Sequence, residues 1–102
     1  MTDTDLLSYR DLFVETGREH IRLINAELAN NSKNEDAVNE VYRRIHSLKG
    51  SSSIMGFSDI SELCSKAGDL LLNQKEHSSS EELEKVEQIV AVIGEKIEEI
   101  KK

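Results

Sequence analysis

The chain of 102 residues has no proline, no tryptophan, two phenylalanines, two tyrosines, five glycines and a single cysteine. Sandwiches and barrels need many short strands, Pro/Gly turns and a stock of aromatic side chains, so this shortage excludes them and favours long uninterrupted helices. Cys64 alone can form neither an internal disulfide nor a cysteine zinc site, and the fold must hold by packing. His20, His46 and His77 are too dispersed for a His-x-x-x-His metal pair, so no metal is expected. No apolar run approaches the ~20 residues that span a bilayer. Met1-Thr2-Asp3-Thr4-Asp5 lacks the basic start and apolar stretch of a secretory signal, which points to the cytoplasm. Cations are also scarce, 13 Lys and Arg against 20 Asp and Glu for a net charge of -7. Such a surface repels nucleic-acid phosphate and anionic lipid. These absences leave one soluble all-α domain over residues 1–102, expected to be monomeric and to bind neither nucleic acid nor membrane.

What is present is helical periodicity. Leu7, Val14, Ile21 and Leu28, with Phe13 and Ile24 on neighbouring rows, draw one face of a helix over about 4–29. Gly17 falls within it and reads as a close-packing point, and Asn30 and Asn31 as its stop. Val38, Val41, Ile45, Leu48, Ser52 and Met55 form a second stripe over about 35–55. That stripe keeps its phase through Gly50 and Ser51-Ser52-Ser53, so the helix is expected to continue to Gly56. Asp59 with Glu62 resembles a capping pair opening a third helix, about 59–74, with Ile60, Leu63, Cys64, Ala67, Leu70 and Leu71 inward. After a polar loop over 75–80, Ser79 with Glu82 can cap a fourth helix, about 80–101, carrying Leu83, Val86, Val90, Ile93, Ile97 and Ile100. Short loops between amphipathic helices predict an antiparallel up-down four-helix bundle. Leu12, Leu72 and Ile89 lie off the main stripes, and His20 and His77 read as surface residues.

The chemistry concentrates on the second helix. At ~100° per residue, His46 lies about 130° from the centre of the apolar stripe and faces solvent. Its neighbours are Tyr42 and Arg43 one turn before, Lys49 and Gly50 one turn after, and Ser53 two turns after. Gly50 raises no side chain beside the imidazole, leaving room for a bulky group or a partner surface. Lys49 and Arg43 bring positive charge that would neutralise an anion on the ring. Residues 31–57 carry a net +1 in this acidic chain, through Lys33, Arg43, Arg44 and Lys49. Glycine and three serines in mid-helix cost several tenths to about 1 kcal/mol each, a local sacrifice that points to function.

His46-Ser47-Leu48-Lys49-Gly50-Ser51-Ser52-Ser53-Ile54-Met55-Gly56 resembles the His-x-x-Lys-Gly signature, with its later glycine, of histidine-containing phosphotransfer (HPt) domains. Phe13-Val14-Glu15 through Ile21, and Val41-Tyr42-Arg43-Arg44-Ile45 ahead of the histidine, are similar to the amino-terminal phosphotransfer domain of chemotaxis histidine kinases. The resemblance implies that His46 is the phospho-acceptor and Lys49 the phosphate neighbour. Arg43, Gly50, Ser53 and Gly56 would border the phosphate or the partner. It further implies two partners, a histidine kinase catalytic domain and a response-regulator receiver domain, with Mg2+ on the partner and no cofactor of the chain's own. The chain has no phosphate-cradling Gly-x-x-x-x-Gly-Lys loop and thus no ATP site to make it an enzyme by itself. It would be either a free-standing carrier or the first module of a larger kinase. Many chemotaxis-kinase members place a histidine and a glutamate downstream, the glutamate holding the Nδ1 proton of the phospho-acceptor. Here those places are Ser65 and Gly68, and water, Ser65 or Asp69 is expected to substitute.

Two other readings stand beside this one. An adaptor could bind a signalling partner through the helix 2 face without receiving phosphate. A Ser/His hydrolase would need a nucleophile elbow, which the serines beside His46 lack. Cys64, on the apolar face of the third helix, reads as a small core residue.

Overall fold

In a computed structural model, the backbone is described for residues 3–31, 35–77 and 80–100, and side chains for 8–29, 35–73 and 81–100. It forms four helices, α1 (Asp3–Asn31), α2 (Glu35–Met55), α3 (Ser58–His77) and α4 (Ser80–Ile100), with no strand among the described residues. Each helix packs on the next and α1 closes the ring against α4, so among the described residues the close backbone approaches are between neighbours in the ring. The result is the expected up-down bundle, 47 × 21 × 20 Å. Its long axis is set by α1, since 29 residues rise roughly 44 Å at ~1.5 Å each. No described helix is long and apolar enough to cross a membrane.

The stripes meet in one core. Val14, Ile24 and Leu28 of α1 join Val41, Ile45 and Leu48 of α2, Ile60, Cys64, Ala67 and Leu71 of α3, and Val86, Val90, Ile93 and Ile97 of α4, all essentially shielded from water. Burying such side chains contributes about 1.5–3 kcal/mol each before the entropy of ordering them is counted. Leu7 and its burial lie outside the described side chains. Gly17 is the close-packing point its position suggested, because a Cβ there would stand 3.0 Å from Ile97 Cδ1. Ser52 is the one buried polar side chain among those described, and its hydroxyl is satisfied by donating to the Lys49 carbonyl at 2.9 Å.

Helix α2 ends through Gly56, whose φ of 82° is a left-handed conformation that a Cβ disfavours. The Gly56 N–H reaches the Ser53 carbonyl at 3.2 Å and the Phe57 N–H reaches the Ser52 carbonyl at 2.9 Å, the paired bonds of a Schellman stop. Phe57 then packs on Phe13, ring centroids 5.1 Å apart and planes tilted by 39°, which ties the α2–α3 turn to α1.

Three expectations need correction. Helix α3 begins at Ser58, so Asp59 sits inside the first turn and does not cap it. The Asp59 carboxylate accepts from the Ile60 N–H at 2.9 Å and pairs with Lys96 of α4 at 3.2 Å, so its place is set by α4 and not by Glu62. The same helix runs on to His77, and most of the segment read as a polar loop over 75–80 is helical. Apolar periodicity stops at Leu72, but polar residues of good helix propensity continue the turn. The proposed Ser79 cap lies outside the described residues.

The third correction is His20, which is half-buried. Its Nδ1 is shielded and has no hydrogen-bond partner among the described residues. Burial holds its pKa below the ordinary imidazole value and the Arg44 charge of α2 pushes the same way, with Glu19 opposing. His20 therefore favours the neutral form in the folded chain, and its contribution to stability is present above pH ~6.5 and lost as pH falls through the lowered folded value. Urea unfolding at pH 7.5 and 5.5 is expected to show a larger acid loss in the wild type than in His20→Gln. Equal losses would contradict this reading.

Candidate functional site

The rotation of α2 is fixed by burial of Val41, Ile45, Leu48 and Ser52, which turns His46, Lys49, Gly50 and Ser53 to the solvent side. Side chains lean toward a helix's amino end, so His46 lies over the turn that carries Tyr42. The two rings are stacked, centroids 6.1 Å apart and planes inclined by 19°. No described residue hydrogen-bonds the His46 ring.

On the α3 side of the ring is a cleft of about 50 Å³ lined by Tyr42, His46, Lys49, Cys64, Ser65, Gly68 and Asp69. This is room for a few water molecules, each needing roughly 10–15 Å³. The structure thus brings His46 together with the two positions expected to replace the missing glutamate. Lys49 and Asp69 face the same cleft without pairing within 4 Å, so Lys49 makes no ion pair with a described residue. Arg43 is differently placed. It pairs with Glu40 at 2.5 Å, and Glu40 also holds Arg44 at 3.2 Å. Lys49 is then the one cation near the ring whose charge is not already countered by a described carboxylate.

The low relief beyond His46 has local causes. Nothing lies within 4 Å of where a Gly50 Cβ would stand. The Ser51 hydroxyl turns back to the Ser47 carbonyl at 3.1 Å, and the Ser53 hydroxyl pairs with that of Ser61 on α3 at 2.7 Å. These bonds keep the serines flat against the bundle and offset part of their poor helix propensity. Gly56 is exposed at the end of this strip. Cys64 lies under the cleft, where burial pushes its thiol up to about 11 against the opposing charge of Lys49. It is protonated at neutral pH and is no nucleophile.

Two features escaped the periodicity. The Tyr42–His46 stack depends on side-chain directions that spacing alone does not give. On the other flank of α2, Tyr9, Leu12, Phe13, Thr16, Ser51, Ile54 and Met55 line an apolar groove of about 200 Å³, with Ile54 87% exposed. Ile54 lies roughly 150° from the centre of the buried stripe, an apolar side chain on the polar face, and that misfit was the available signal.

A family model described as the Hpt domain matches residues 8–101. The chain is 41% identical over 66 residues to the chemotaxis protein CheA of Halobacterium salinarum, a stretch covering 62% of this chain and 10% of that protein. Against CheA of Bacillus subtilis it is 32% identical over 62 residues, 58% of this chain and 9% of the relative. It thus spans about a tenth of the length of these relatives. Among solved structures, the CheA phosphotransferase domain from Thermotoga maritima superposes with a TM-score of 0.81 at 27% identity, covering 93% of this chain and 96% of that one.

Gly50 and Gly56 are both bare, for different reasons, and substitution separates them. Gly50→Ala is expected to stabilise the helix by about 0.5–1 kcal/mol, because it gains propensity and meets no atom. Gly56→Ala is expected to cost about 1–2 kcal/mol through its left-handed backbone. Urea midpoints moving the same way would contradict the distinction.

Proposed function

Because the chain belongs to the Hpt domain family, whose model matches it over residues 8–101, we propose that it carries a phosphoryl group on His46 between a histidine kinase catalytic domain and a receiver-domain aspartate. The observation that carries this reading is the solvent-facing imidazole on a buried-striped helix, with bare Gly50 one turn on and Lys49 beside it, which makes no ion pair among the described residues. In the transfer, the Nε2 lone pair attacks phosphorus in line with the departing oxygen, either that of ADP or that of an aspartyl phosphate. A P–N bond forms as a P–O bond breaks. The ring becomes cationic at that moment, and loss or retention of the Nδ1 proton sets how readily the phosphoryl group moves on. Ser65 and Asp69 share the cleft with the ring; the Asp69 carboxylate is the group there that can accept that proton through water, and the Ser65 hydroxyl can hydrogen-bond along the way. Mg2+ and ATP belong to the partner domains in this scheme, which leaves the bundle the task of positioning.

Lys49 supports the transfer by its charge. At ~4 Å in a solvated setting one charge is worth about 1 kcal/mol. The flat strip from Gly50 to Gly56 leaves a receiver room to bring its acidic pocket over the imidazole, where Lys49 complements it. The adaptor reading, binding through the same face without phosphate, draws its support from Gly68 standing where many relatives of the chemotaxis type hold a glutamate.

Incubation with radiolabelled ATP and a histidine kinase, or with a phosphorylated receiver, separates the two. Acid-labile label in the wild type and none in His46→Gln is expected. A chain that takes no label from either donor is an adaptor. Lys49→Ala should keep its fold and slow labelling about five-fold; an unchanged rate would remove the electrostatic role.

A further inference from the structure

Resting on the reading of His46 as phospho-acceptor, we propose that Tyr42, seated on Gly68 of α3, is the positioning residue that holds the plane of the His46 imidazole. Gly68 lies in the middle of α3, is buried, and costs that helix roughly 1 kcal/mol relative to alanine. A Cβ at this position would lie 3.6 Å from Tyr42 Cε2, an ordinary contact, so alanine fits and anything longer runs into the ring. The bare backbone of α3 is therefore the seat of the Tyr42 ring. From this seat Tyr42 stacks on His46 at 6.1 Å and 19°, within the 4.5–7 Å over which aromatic rings attract.

The stack matters because nothing else in the described structure orients the ring. His46 is exposed, lies on a helix face beside bare Gly50, and receives no hydrogen bond from a described residue. A free imidazole on such a face swings about two side-chain torsions and exchanges its nitrogens between water and protein. The near-parallel Tyr42 ring restricts that freedom. His46 lines the cleft together with Ser65 and Asp69, and a fixed plane keeps the ring in one presentation to that cleft and to an incoming phosphorus. Tyr42 and Gly68 thus form a pair, the small residue on α3 making room for the aromatic one on α2. The i, i+4 spacing of Tyr42 and His46 lets the rings meet without distorting the helix.

The test measures ring order and phosphoryl uptake separately. Carbon relaxation at Cδ2 and Cε1 of His46 reports ring order without any phosphate. Potassium phosphoramidate, which transfers its phosphoryl group to imidazole with release of ammonia, reports uptake without a partner protein. Tyr42→Phe keeps the flat face and should match the wild type in both within two-fold. Tyr42→Leu should raise ring mobility and slow uptake about three- to ten-fold, at a thermal midpoint within a few degrees of wild type. Gly68→Leu, by displacing the Tyr42 ring, should reproduce Tyr42→Leu, while Gly68→Ala should behave as wild type. Unchanged ring order and rate in Tyr42→Leu overturn the proposal, and so does a Tyr42→Phe variant as impaired as Tyr42→Leu, which would shift the effect to the hydroxyl. If Gly68→Leu does not fold, the Tyr42 pair alone decides. A wild type that takes no label from phosphoramidate strikes the acceptor reading, and the ring-order comparison still decides on Tyr42.

Discussion

Burial of the Val41, Ile45, Leu48 and Ser52 row of α2 is the constraint on which everything else at the site depends. A helix so anchored has no rotational freedom, and the opposite face becomes a fixed platform. His46, Lys49 and Gly50 owe their exposure to residues that never touch them. The platform is flat because the serines return their hydroxyls to the backbone or to α3, and it stops sharply because Gly56 takes a conformation that an L side chain resists. Phe57 against Phe13 then locks the turn, so the register between α2 and α3, and with it the cleft beneath His46, is held from α1.

Charge follows the same logic at shorter range. The chain is acidic overall, yet its cations on α2 are unequal. Arg43 and Arg44 share Glu40, whereas Lys49 is left facing the cleft beside the imidazole. Exposed pairs of this kind contribute little to stability, so Glu40 acts mainly by restricting where the two guanidinium groups rest. At the Gly56 end of the bundle, α4 has no cation in its last described turn. Its Ile100 carbonyl accepts from Arg10 at 3.5 Å and its Glu98 pairs with Arg18, so α1 contributes positive charge at that end.

The bundle and the face carrying His46 were legible in the sequence because both rest on helical period, which survives even a glycine and three serines when the apolar row keeps phase. Gly17 could be read as a packing point for the same reason. The limits of α3 were not legible: an Asp–Glu spacing that looks like a cap is indistinguishable in sequence from an aspartate recruited by Lys96 of another helix. His20 escaped because its half-burial is created across the α1–α2 interface, near Arg44. At the site, Gly68 was visible as a departure from the chemotaxis pattern, but that it seats Tyr42 depends on the register of two helices. Such pairings are fixed by tertiary packing and leave no period behind.

The phosphoryl group's address is the most direct test of the central claim. The wild-type chain, treated with phosphoramidate, can be read by nitrogen-resolved NMR, in which coupling to phosphorus identifies both the residue and the ring nitrogen. Phosphorus bonded to Nε2 of His46, with His20 and His77 unmodified, is the expected result. Phosphohistidine at another position or at Nδ1 of His46, or none at all, would contradict the role given to the exposed imidazole.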